Sequence, residues 1–363
     1  MSLKNISKKN KLFLRQFFYL IDESYVMQPN ITVTEKNNIH VSDSELKNII
    51  DSSVSYQKFF PSKIFNFIKE KKCNLKKIHF KINNRTINIH LYSYEKNITN
   101  DDLKFIISWF NIVDKMAPKK CSVKIDFYLF LINERKKLPS IKNHILESQN
   151  VNSAFTYGCR EHNKIVIYRY EEWKKVLIHE TMHMFNFDFN HENFFNLKKT
   201  LQKTFQINSE YLAFETYCES IASIWYSSYE AYKLTKNITY FVNYLEAILF
   251  NETHHFIKQS NKILNHFGCH YTSINKCKNY SENTNAFCYY ILKSICFIHL
   301  NEFLSLCIKH YKNDNILNLN FTKTCEEDFV VFFKKNAFHS NTLKIMESVK
   351  YDKDLYLKMM DLT

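Results

Sequence analysis

Between Val176 and Phe185 the chain reads Val-Leu-Ile-His-Glu-Thr-Met-His-Met-Phe, which sets His179 and His183 four residues apart with Glu180 directly after the first. On an α-helix, positions i and i+4 lie one above the other on the same face, so both imidazoles can converge on a single ion. Glu180 then projects beside that ion, within reach of a proton on an ion-activated water. Imidazole nitrogen suits zinc, and three protein ligands plus a water is the usual catalytic arrangement. With 15 His and 36 Asp+Glu in the chain, chance alone gives this pattern about 0.03 times. The immediate flanks, Val176–Ile178 on one side and Thr181, Met182, Met184 and Phe185 around the second histidine, carry no charge. A helix that buries a metal must keep such neighbours uncharged, because an unpaired charge is costly to desolvate. A solvated helix face with two coincidental histidines has no such requirement.

This stretch resembles the zincin metallopeptidases, whose signature has a small β-branched residue, uncharged neighbours and an apolar residue after the second histidine. Val176, Thr181, Met182, Met184 and Phe185 meet those positions. The lysine- and asparagine-rich composition also makes the segment similar to metallopeptidases of large DNA viruses. The metzincin branch would need Gly at 186 and His at 189, where this chain has Asn186 and Phe189. Downstream, Glu215 and Glu219 lie four residues apart within Ser209–Ala222, among Phe214, Ile221, Ala222 and Trp225. That pair is similar to the gluzincin pattern, in which the first acid binds zinc and the second hydrogen-bonds a ligating histidine. The resemblance therefore implies Glu215 as third ligand and Glu219 as the partner that fixes an imidazole tautomer. Glu219, Asp188 and His191 stay open as alternative ligands. It further implies hydrolysis of a peptide bond in a protein or peptide substrate, with Glu180 as general base. An oxyanion donor is expected from a Tyr, His or Arg; Tyr290 is the candidate, with Tyr211, His254, His255 and His270 as rivals. Cys159 lies near the motif in sequence and is expected to be a small buried residue.

The elements that must position these groups follow from periodicity. Residues 1–75 carry mostly helical patterns, such as Ser44–Ile50 and Gln57–Glu70. Ile78–Ile82, a polar turn at Asn83–Arg85 and alternating Ile87, Ile89 and Leu91 predict a hairpin. Asp101–Val113 predicts an amphipathic helix and Val123–Leu131 a strand. Ala154–Gly158 and Ile165–Arg169 predict a second hairpin, either arm of which could be the edge that binds a substrate backbone. Glu171–Phe185 is then a helix with two acids in its first turn. A further helix is expected over Ser209–Ala231 with Ser209 as N-cap, followed by mainly helical segments at 239–267, 285–308 and 326–349. Strands before residue 170 and helices after it predict an α+β fold. In this reading a zincin-like catalytic domain at 116–363 follows an N-terminal accessory region at 1–115.

Composition narrows the alternatives. Among 363 residues there are 2 glycines, Gly158 and Gly268, where average usage would give about 25. Phosphate-cradling loops and dinucleotide fingerprints each need several glycines close together, so the usual nucleotide-driven chemistries are excluded. A formal charge of +14 admits an anionic partner such as nucleic acid. The basic residues are scattered and not interleaved with aromatics, so nucleic acid is not the favoured partner. A non-enzymatic, basic nucleic-acid-associated protein with a structural metal is the competing reading. Ten cysteines without a Cys-x-x-Cys pair suggest reduced thiols in an intracellular, soluble protein, cytoplasmic or virion-associated. No run is long enough to predict a membrane span.

Overall fold

The computed structural model describes residues 6–50, 59–188, 194–312, 315–358 and 360. In chain order the elements are α1 (Lys8–Tyr25), β1 (Thr32–Ile39), α2 (Asp43–Ile50), α3 (Ser62–Glu70), β2 (Cys73–Ile82), β3 (Arg85–Ser93), α4 (Asn100–Met116) and β4 (Lys124–Ile132). Then come α5 (Ser148–Val151), β5 (Ala154–Thr156), β6 (His162–Arg169), α6 (Trp173–Met184), α7 (Phe195–Phe205), α8 (Ala213–Thr235) and α9 (Ile238–His266). A 3-10 turn (Tyr271–Lys276) and a π-helix (Phe287–Leu292) lead into α10 (Lys293–Ile298), α11 (Leu300–His310), β7 (Tyr311–Lys312), β8 (Asn315–Leu319), α12 (Lys323–Asn336) and α13 (Ser340–Ser348). The fold is α+β, with a six-stranded mixed sheet and a helical C-terminal half. Among the described residues no single helix is long and apolar enough to cross a membrane.

The backbone divides into two compact units, one formed by residues 19–136 and 152–187, the other by 1–18, 137–151 and 188–363. The first carries the sheet, in the order β1-β2-β3-β4-β6-β5. β3, β4 and β6 run parallel, whereas β1, β2 and β5 pair antiparallel with their neighbours. Strand alternation sends Leu75, Tyr92, Phe130, Ile132, Val166 and Tyr168 to one face, where they pack with Leu46 and Ile49 of α2 and Ile64 and Ile68 of α3. The other face, with Ile78, Ile87, Ile89, Ile125, Phe127, Ile165 and Ile167 all buried, packs with α4 and α6. The β2–β3 hairpin turns at Asn83, whose φ of 49° lies in the left-handed region that Asn tolerates.

Two expectations need correcting in this unit. The mostly helical pattern read over residues 1–75 misses β1, whose Thr-Val-Thr-Glu-Lys-Asn-Asn-Ile sequence is exposed along nearly its whole length. A strand that buries neither face shows no period of two, so the backbone ladder to β2 and the Glu35–Lys76 ion pair at 2.9 Å hold it instead. Cys159, expected as a small buried residue, is exposed and disulfide-bonded to Cys121, with Cα atoms 4.9 Å apart.

The second unit is built around α8 and α9, with the aromatic pairs Phe17–Trp225 (centroids 4.1 Å apart) and Phe256–Phe297 (4.8 Å) in its core. The helix expected at 239–267 is α9. The segment expected at 285–308 is broken into the π-helix, α10 and α11, with a 96° bend after Ile298. The one expected at 326–349 is two helices, the second capped by His339, whose Nδ1 accepts from Asn341 N–H. A short antiparallel strand pair, β7–β8, accompanies these helices. Cys269 and Cys277 form a second disulfide with Cα atoms 5.7 Å apart. Four of the ten cysteines are thus paired rather than all reduced as the spacing suggested, and the remaining six are buried thiols.

Candidate metal centre

Helix α6 enters directly from β6, so its position on the sheet is fixed by the strand before it. Glu172 is the N-cap residue, and its buried carboxylate accepts from Ser153 Oγ (2.5 Å) and pairs with Lys136 and Lys175. The two acids expected inside the first helical turn therefore precede it. Leu177, Ile178, Met182 and Met184 are fully buried. Thr181 hydrogen-bonds back to the carbonyls of Leu177 and Ile178 and accepts from Trp109 Nε1 of α4 at 2.9 Å. The helix is thereby fixed in rotation as well as in depth.

That rotation turns the motif residues to one side. His179 and Glu180 are buried, 6% and 7% exposed, and His183 is half-buried. The two Nε2 atoms are 3.0 Å apart and the rings meet edge to face at 73°. Two nitrogens bound to one zinc at about 2.0–2.1 Å and a tetrahedral angle would lie about 3.3 Å apart. The imidazole pair therefore fits a shared ion, and the described part of its helix contributes no competing charge on the flanks read from the sequence. Beyond α6 the chain turns at Asn186 (φ 52°), and Asp188 is half-buried. His191 lies outside the described residues.

The acids expected to serve the metal are on α8, in the other unit. The helix begins at Ala213 rather than at Ser209, because Tyr211 takes a φ of 56° and Ser209 Oγ donates to Glu282 at 2.7 Å. Ser209 is therefore not the N-cap. Glu215 sits in the first helical turn, half-buried, and its Oε1 accepts from Asn285 Nδ2 at 3.3 Å. Glu219, one turn on, is buried and pairs with the buried ammonium of Lys293 at 3.2 Å. Tyr290 is half-buried on the π-helix, where its carbonyl accepts from Ser294. Among its rivals, Tyr211 is committed to structure: its hydroxyl donates to Ile207 C=O and accepts from Ile207 N–H, and burial raises its pKa to about 12. His255 faces the Lys358 carbonyl at 2.8 Å, burial lowers the pKa of His254, and His270 is exposed.

Sequence reading missed Glu282, Asn285 and Lys293. An asparagine and a lysine carry no signal in a chain this rich in both, and Glu282 stands in no motif. Glu282 is fully buried and accepts from Ser209 Oγ, Tyr280 Oη and the backbone N–H of Phe287. Burial raises its pKa from 4.5 to about 7, against hydrogen bonds that favour the charged form. The folded chain then holds a proton that the unfolded chain has released, so this group's contribution is fully present below pH 4.5 and is lost as pH rises through about 7. Glu282→Gln should flatten that loss, at most about 3 kcal/mol, when urea midpoints are compared from pH 4 to 8. Parallel pH profiles for the two proteins would contradict it.

No protein-family model, curated protein or solved structure matches this chain.

Proposed function

We propose that the protein is a zinc-dependent peptide hydrolase of zincin, gluzincin-like type, in which His179, His183 and Glu215 hold the ion and Glu180 is the general base. The observation that carries this is the imidazole pair 3.0 Å apart on a buried helix whose sequence places Glu180 between them. Imidazole nitrogens from His179 and His183 with a carboxylate oxygen from Glu215 would make a nitrogen-and-oxygen donor set of the kind that suits zinc. When bound, zinc supplies an acidified water and a polarised scissile carbonyl. Glu180 would act as the general base there, accepting a proton at its carboxylate and returning it to the leaving nitrogen. Glu219 is the proposed outer partner of a ligating imidazole, and Tyr290 is the candidate donor to the developing oxyanion. The sheet supplies β5 as an edge strand directly before β6 and α6, suited to pairing with an extended substrate backbone.

The third ligand is the point to test, because Asp188 stands as an alternative to Glu215 close to the motif in sequence. Zinc content measured by plasma mass spectrometry should be about one ion per chain in the wild type. Glu215→Gln should lose it and Asp188→Asn should retain it. The opposite result would transfer the ligand role to Asp188.

A further inference from the structure

A single helical segment serves both acids of α8. Asn285, two residues before the π-helix, donates to Glu215, and Lys293, where the π-helix passes into α10, pairs with Glu219. Glu215 and Glu219 are one turn apart on α8, so their two partners must come from one face of the opposing segment. Eight residues of regular α-helix would carry the second partner about 80° round the axis from the first. Between them lies the π-helix Phe287–Leu292. Its i→i+5 bonding accommodates one extra residue in the turn, which reduces that offset to about 20°.

Both ends of the device are anchored. Glu282 accepts from the N–H of Phe287 and the hydroxyl of Ser209, which ties the start of the π-helix to the segment leading into α8. At the other end the Lys293 ammonium, 2% exposed, lies 3.6 Å from the centroid of the Phe256 ring. A cation held over an aromatic face and against a buried carboxylate has little freedom to turn elsewhere. The hydroxyl of Thr216 adds a third link, donating to the Cys288 carbonyl at 3.2 Å.

We infer that the π-helix is a positioning device for the metal site, with Asn285 and Lys293 as positioning residues that pre-set the carboxylates of Glu215 and Glu219. The inference rests on the zinc reading above. A carboxylate already held by a hydrogen bond needs less ordering when the ion binds, and partners of this kind typically change metal affinity by about 10–100-fold. The π-turn thus does for the second unit's acids what Trp109 and Thr181 do for the histidine helix.

Zinc affinity of the full chain, measured by competition with a chromophoric chelator, tests this. Asn285→Ala should bind zinc about tenfold or more weakly, and Lys293→Met likewise, with Lys293→Arg recovering part of the loss. Because Lys293 is buried and its truncation can disturb folding, Asn285→Ala, which leaves the Lys293–Glu219 pair intact, is the decisive variant. A purely structural role would lower the melting temperature and leave the affinity of the folded protein unchanged. Wild-type affinity in folded Asn285→Ala overturns the inference alone. A wild type that binds no zinc overturns the metal reading and this inference together.

Discussion

Glu180→Gln is expected to keep its metal and to lower peptide turnover by about 10²–10⁴-fold. The substitution preserves side-chain volume at a position only 7% exposed, so packing on α6 should be little disturbed. What it removes is the capacity to accept a proton, since an amide cannot replace a carboxylate in that role. The measurement is hydrolysis of a quenched fluorescent peptide library, with zinc content determined on the same samples. Full metal with no turnover is the expected combination. Unchanged turnover would show that Glu180 is not the base, and lost metal would place it among the ligands.

His183→Ala should lose the ion itself. Removing one of three protein ligands from a site of this type leaves a donor pair that cannot compete with solvent and chelators at ordinary concentrations. Free zinc at 1,000 times its dissociation constant stabilises a fold by about 4 kcal/mol, so adding zinc should raise the melting temperature of the wild type and leave that of His183→Ala unmoved. Retention of a full ion by the variant would end the assignment. Salt-dependent retention on nucleic acid, together with a metal that supports no peptide cleavage, would favour the competing reading of a basic nucleic-acid-associated protein.

The parts of the fold that were legible are those in which one face is buried and the other is not. Ile87, Ile89 and Leu91 alternate because β3 has a core face, and Leu103, Ile106, Ile107 and Phe110 recur at helical spacing because α4 packs on the sheet. The motif helix was legible for a different reason, since three residues of specific chemistry at fixed spacing carry more information than any hydrophobic pattern. β1 was not legible because it buries neither face. The start of α8 was misplaced because Ser209, a good N-cap by type, is engaged by Glu282, a partner 73 residues away. Nothing local marks the π-helix either: Phe-Cys-Tyr-Tyr-Ile-Leu suits an ordinary helix. Glu215 and Glu219 were found through spacing and resemblance, but the residues that hold them, Asn285 and Lys293, are identifiable only from tertiary contacts.

The division of the chain among five alternating stretches has a consequence for biosynthesis. The sheet-bearing unit is fully synthesised once residue 187 has been added, whereas the helical unit opens with residues 1–18 and waits for 188–363. Phe17 packs at a tilt against Trp225 and Phe13 stacks on Tyr311, so these two side chains wait for partners that leave the ribosome some two hundred or more residues later. The start of the first helix is therefore a place where a chaperone would compete with premature association on the nascent chain.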